Sequence, residues 1–174
     1  FARDPQAQID ASVLTRMRDA MVHRGPDGAG LWADSGVGLS HRRLSIIDVE
    51  GSPQPMHSAD GRAVIVFNGE IYNYRALREE LGELGHRFRT QGDTEVILAA
   101  WREWGVQCLH RLDGMFAFAI YDRQTRQLFL ARDRFGVKPL FTVVLPDGTF
   151  AFASELKGLL AHPQVGRRID PLAI

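Results

Sequence analysis

Two unbroken apolar runs constrain this chain most: Ala63-Val64-Ile65-Val66-Phe67 and Phe116-Ala117-Phe118-Ala119-Ile120-Tyr121. A strand with one wet face alternates apolar and polar residues; these runs do not, so both faces of their sheet must be covered. A polar turn at residues 123–126 separates the second run from another apolar stretch at 128–131. Pro146-Asp147-Gly148 likewise separates 139–145 from 149–153. Strands joined by such short turns pair antiparallel, which argues against a βαβ parallel sheet. A sheet covered by a second sheet on one side and by helices on the other satisfies both constraints. The expected fold class is therefore α+β: a four-layer αββα sandwich of two largely antiparallel sheets flanked by helices.

Helical periodicity supplies the outer layers. Residues 10–22 place Val13, Leu14, Met17 and Met21 on one face, with Asp10 as the expected N-cap. His23-Arg24-Gly25-Pro26-Asp27-Gly28 then forces a loop. Short strands are expected at 37–39 and 44–46. Asn73 is the expected cap of a second helix carrying Leu77, Leu81 and Leu84, with Gly85 beyond its end. A third helix starts at Asp93 or Thr94, carries Val96, Ile97, Ala100, Trp101 and Trp104, and stops at Gly105. A short helical piece follows at 108–112. Ser154 is the expected cap of a last helix that ends at His162-Pro163.

Composition narrows the function classes. The 174 residues suit a single domain. Lys plus Arg and Asp plus Glu both number 21, so the broad basic footprint of a dedicated nucleic-acid or acidic-membrane binder is absent. One cysteine, Cys108, excludes an intrachain disulfide framework and a CxxC knuckle. The six histidines show no HExxH spacing, and no metal site is expected. The longest apolar run, 115–121, is far too short for a membrane span, and no signal segment opens the chain; the expected location is cytoplasmic.

Five polar segments, expected as loops, lie beside the apolar strands: residues 23–27, 41–48, 68–73, 92–95 and 131–140. Asn68-Gly69 reads either as a hairpin turn or as a pair of donors, one side-chain amide and one backbone N–H, aimed at a single oxygen as in an oxyanion hole. Arg43 suits a carboxylate held by parallel hydrogen bonds, while Glu70 and Asp93 suit an ammonium group; together they would hold a free amino acid. Taken singly, each charge reads first as a solvated face or surface ion pair, and Asp93 also as a helix cap. Arg132, Asp133 and Arg134 read as an ion-pair network bracing a loop, and Cys108 as a small buried hydrophobe.

RGPDG, HRRLSIID, QPM, FNGEIYNY, GDTEVIL, LDGMFAFAIYD, LARDRFGVKPL and FASELKGLL occur in that order between about His23 and Leu160. Through these motifs the chain resembles the N-terminal glutaminase domain of the glutamine-hydrolysing asparagine synthetase family, a class II glutamine amidotransferase domain of the N-terminal-nucleophile hydrolases. The resemblance implies the same αββα sandwich. It also implies roles: Asn68 and Gly69 as the oxyanion hole, Arg43 for the α-carboxylate of L-glutamine, Leu44, Ser45, Ile46 and Ile47 as the pocket wall, Glu70 and Asp93 for the α-amine, and Arg24 as support beside the pocket. The implied nucleophile is an N-terminal cysteine whose own α-amine is the base. A thioester forms, ammonia leaves and water releases glutamate. The implied partner is a C-terminal synthetase domain of the same parent chain, where ATP and Mg²⁺ activate a carboxylate, typically aspartate; no cofactor is implied within this domain.

The sequence departs from the family pattern at both ends. The Cys-led stretch expected before Phe1 is absent, so residues 1–174 are expected to be inert as they stand, and Gly166-Arg167-Arg168-Ile169-Asp170-Pro171-Leu172 resembles the start of a link to the synthetase domain. A non-catalytic domain of the β-lactam-synthetase type, or service to another acceptor, stays open as an alternative, as does a homodimer.

Overall fold

A computed structural model of the chain describes residues 1–44 and 51–167. The two apolar runs pair with each other: β4 (Ala63–Ile71) and β5 (Gly114–Asp122) are antiparallel, with Ile65 opposite Ile120 and Phe67 opposite Phe118. β3 (Met56–His57) and β6 (Gln127–Arg132) flank them, giving a four-stranded sheet in the order β3-β4-β5-β6. Ala63, Ile65, Phe67, Phe116, Phe118 and Ile120 pack onto Leu77 and Leu81 of α2 (Tyr74–Glu83) and Val96, Ile97 and Ala100 of α3 (Asp93–Trp104). Val64, Val66, Ala119 and Tyr121 point the other way, onto Val37, Leu39 and Phe152. The absent alternation thus has the expected cause: both faces are buried. Ile65 and Ile120 have no exposed surface, and each such side chain contributes about 1.5–3 kcal/mol by burial.

The second β layer consists of two hairpins. One joins β1 (Gly28–Asp34) to β2 (Val37–Arg43), the other β7 (Phe141–Val144) to β8 (Phe150–Ala153). Phe1 bridges them. Its N–H donates to Phe150 O (2.9 Å), its carbonyl accepts from Phe150 N–H (2.8 Å), and Ala2 N–H donates to Gly36 O (2.7 Å). On the outer face, Met17 of α1 (Ala11–Asp19) and Leu159 of α4 (Leu156–Leu160) pack with Ala151 and Ala153. The layers therefore run α2 and α3, four-stranded sheet, hairpins, α1 and α4.

Local signals account for several boundaries. Asp10 Oδ1 accepts from Ser12 N–H (2.8 Å), capping α1 as expected. Gly105 ends α3 at φ 56°, a backbone conformation other residues rarely adopt. Elsewhere the structure corrects the sequence expectations. β1 and β3 were not anticipated. Asn73 stands at the start of α2 but makes no cap; its side chain bridges Arg111 O (2.8 Å) and Asp113 N–H (3.0 Å). Glu155, not Ser154, occupies the N-cap position of α4. Leu44 lies outside any strand, and residues 45–46 of that expected strand fall outside the described residues.

Candidate active site

Residues 68–70 break the burial pattern of β4. After five buried residues, Asn68, Gly69 and Glu70 are half-buried, and Ile71 is buried again. They are not a turn: Asn68 pairs with Ala117, Gly69 with Phe116 and Glu70 with Met115. A glycine is required here. A Cβ on residue 69 would run into the Met115 carbonyl oxygen and the Phe116 Cα, and its φ is 154°. Alternation along β4 puts Asn68 and Glu70 on the Val64 and Val66 face, toward the hairpin layer.

The same alternation sends His41 and Arg43 inward from β2 behind Val37 and Leu39, and Ser154 inward behind Phe150 and Phe152. These residues meet on one cavity of about 740 Å³. Asn68 Nδ2 lies 3.5 Å from Ser154 Oγ. Arg43, Leu44, Asn68, Gly69, Glu70, Asp93 and Arg24 all line the cavity, so the structure brings together every described residue assigned to the site from sequence. Ser45, Ile46 and Ile47 lie outside the described residues.

Asp93 opens α3 immediately after Gly92, which holds the N-cap position. The residue is 6% exposed, and its Oδ2 accepts from Ile71 N–H (2.9 Å). Burial pushes its pKa up, the Glu70 carboxylate pushes it further, and the amides of Ile71, Asp93 and Thr94 do not offset the two. Two acids facing one cavity in this way favour a bound cation. His41 is the opposite case: burial first, then the Arg43 charge, lowers its pKa to about 4, so it is a neutral imidazole at neutral pH.

All five polar segments expected as loops prove to be partly regular structure, since residues 23–24 belong to a 3-10 turn, residues 41–43 to β2, residues 68–71 to β4, residues 93–95 to α3 and residues 131–132 to β6. The 131–140 segment is braced as expected, and among the described residues the bracing is by backbone hydrogen bonds and not by ion pairs. Asp133 accepts from the backbone N–H groups of Phe116, Phe135, Val137 and Lys138, and Arg132 donates to the Lys138 and Gly136 carbonyls. Arg24 pairs with Glu155 at 3.6 Å, and Glu155 also faces His23 and Lys157. Gly25 lets the loop carrying Arg24 close onto the Arg42–Arg43 backbone, which a Cβ would meet. Cys108 is fully buried, lies outside the cavity lining, and has its thiol pKa raised by burial to about 11.

Sequence reasoning missed Gln54. Its side-chain Oε1 accepts from Phe67 N–H (2.6 Å), and its Nε2 donates to Phe67 O (3.2 Å) and approaches Thr94 Oγ1 (3.5 Å). The QPM triplet contained it, but no local pattern marks a glutamine that pairs with a strand backbone. Among the described residues no group of three or more His, Cys, Asp or Glu is placed to hold a metal ion, and no helix is long and apolar enough to cross a membrane.

Comparison with known proteins supplies independent findings. Residues 3–174 match a family described as a glutamine amidotransferase domain. The chain is 50% identical over 169 residues to a putative glutamine-hydrolysing asparagine synthetase of Mycobacterium tuberculosis, covering 91% of this chain and 26% of that protein. It is 42% identical over 164 residues to asparagine synthetase 3 of Bacillus subtilis, covering 92% and 26%, and 44% identical over 140 residues to asparagine synthetase B of Escherichia coli, covering 80% and 25%. It thus spans about a quarter of the length of these curated relatives. The solved structure of a glutamine phosphoribosylpyrophosphate amidotransferase from B. subtilis superimposes with a TM-score of 0.70 at 21% identity, over 86% of this chain and 40% of that one, which supports the sandwich fold.

Proposed function

The chain belongs to the glutamine amidotransferase domain family, and from that premise we propose that its cavity binds L-glutamine for hydrolysis to glutamate and ammonia. Arg43 holds the α-carboxylate by charge-assisted hydrogen bonds, and Asp93 with Glu70 holds the α-ammonium. Leu44 forms part of the wall. Asn68 Nδ2 and the Gly69 N–H receive the side-chain carbonyl oxygen as it gains negative charge. One observation carries this reading: residues 43, 68–70 and 93, remote in sequence, converge on a single cavity and bring to it a guanidinium, two carboxylates and an amide.

The nucleophile is proposed to be a cysteine standing before Phe1. Phe1 and Phe150 exchange both backbone hydrogen bonds, so a peptide added before Phe1 continues antiparallel to β8. About four residues further, at about 3.3 Å each, it reaches Ser154, beside Asn68. The thiol sulfur there adds to the glutamine amide carbon as the terminal amine takes the thiol proton. The C–N bond breaks, the ammonium returns its proton to the leaving nitrogen, and water releases glutamate from the thioester. The ammonia then serves ATP- and Mg²⁺-dependent amidation of a carboxylate, typically aspartate, in a synthetase domain of a cytoplasmic parent chain.

Calorimetry tests the binding step on residues 1–174. L-Glutamine and L-glutamate bind, and Arg43→Ala weakens both roughly tenfold or more, because a charged hydrogen-bond partner is lost. A folded chain that binds neither overturns the proposal.

A further inference from the structure

We propose that Gln54 is a positioning residue that fixes the Asn68–Gly69 strand and ties it to the Asp93 end of α3; this rests on the glutamine reading above. The register of β3 with β4 sets Met56 opposite Ile65 and His57 opposite Val64, so Gln54 falls opposite Phe67. The β3 ladder stops at Met56. Past that point no strand among the described residues pairs with the N–H and carbonyl of Phe67, which face the β3 side.

The Gln54 carboxamide takes the place of the missing peptide group. A primary amide offers one acceptor and one donor side by side, as a backbone amide pair does, and here both meet one residue: Phe67 N–H at 2.6 Å and Phe67 O at 3.2 Å. Its second N–H points toward Thr94 Oγ1 at 3.5 Å. Phe67 directly precedes Asn68, and Thr94 directly follows Asp93. One side chain therefore spans the proposed oxyanion donors and the proposed ammonium acceptor. Gln54 is itself held in place: the Gly30 position lies so close to the Gln54 carbonyl that a Cβ there would collide with it. Gln54 touches the residues next to the reacting groups and acts through them.

The consequence is separable from bulk stability. Gln54→Glu keeps the shape and the acceptor for Phe67 N–H, but sets an oxygen against the Phe67 carbonyl. Gln54→Met keeps the volume and removes both hydrogen bonds. In each variant, amide hydrogen exchange at Phe67 is expected to accelerate roughly tenfold or more while Phe118, opposite it on β5, stays protected. The Gly69 amide resonance shifts, and calorimetric affinity for L-glutamate falls roughly five- to tenfold. Restoring glutamine at position 54 restores all three. Unchanged exchange at Phe67, equal acceleration at Phe67 and Phe118, or loosened Phe67 with unchanged glutamate affinity would each overturn the assignment. If the unsubstituted chain binds neither amino acid, the glutamine reading fails on its own, and the Gln54 clamp is judged by Phe67 exchange and the Gly69 resonance.

Discussion

Asp93 and Asp133 are buried almost equally, at 6% and 7% exposure, yet the fold shifts their acidities in opposite directions. Burial raises both. At Asp133 four backbone N–H groups, from Lys138, Val137, Phe116 and Phe135, outweigh it and hold the carboxylate ionised below its ordinary range. At Asp93 the amides are outweighed by burial and by Glu70. The first carboxylate is saturated by its own chain and serves as a brace. The second faces a cavity with unused capacity for a positive partner. Burial alone therefore does not set the acidity of these two carboxylates; the balance of backbone donors and neighbouring charge does.

Substitutions that remove these two charges sharpen the contrast. Asp133→Ala leaves four N–H groups without their acceptor and costs about 3–5 kcal/mol, a fall in Tm on the order of 10 °C by calorimetry. Asp93→Asn retains an oxygen for Ile71 N–H and relieves the buried charge, so the ligand-free Tm holds or rises. Affinity for L-glutamate nevertheless drops by about 2 kcal/mol, because the α-ammonium loses its ionised partner. Equal losses of Tm in the two variants would break the comparison.

Acidity separates them next. The raised Asp93 pKa means that ligand binding, which needs the ionised form, weakens as pH falls toward 3.8 and begins to do so above that value. The lowered Asp133 pKa means that its stabilisation is present above 3.8 and is lost only as pH falls below it. Calorimetric titrations with glutamate, set beside melts over the same pH series, should therefore show affinity failing before stability. The smallest effect belongs to Cys108→Ala. It trims a buried thiol at a cost of about 1 kcal/mol and leaves glutamate affinity unchanged, which chemical denaturation and calorimetry check together.

Much of this was legible in the sequence where one residue's chemistry decides locally. The non-alternating runs at 63–67 and 116–121 announced a doubly covered sheet, and Asp10 and Gly105 marked their helix ends. The candidate site residues were legible through the ordered motifs; singly, Arg43, Glu70 and Asp93 read in the sequence as ordinary surface charges. What escaped depends on partners distant in the chain. Asn73 looks like a cap but spends its amide on Arg111 and Asp113. β1, rich in Gly and Ala, has little strand propensity of its own and is held by its full register with β2. Gln54 carries no periodic signal, because its role is to replace a peptide group that β3 does not supply.

Ammonia release decides whether Asn68 and Gly69 form the proposed oxyanion site for glutamine hydrolysis. A cysteine-led peptide joined before Phe1 should produce glutaminase activity that disappears on Cys-to-Ala replacement of the added residue. In that protein Asn68→Ala should lower kcat roughly 10²–10³-fold with KM little changed. A folded, cysteine-led protein that binds glutamine but releases no ammonia, or one whose kcat is indifferent to Asn68→Ala, would contradict the account.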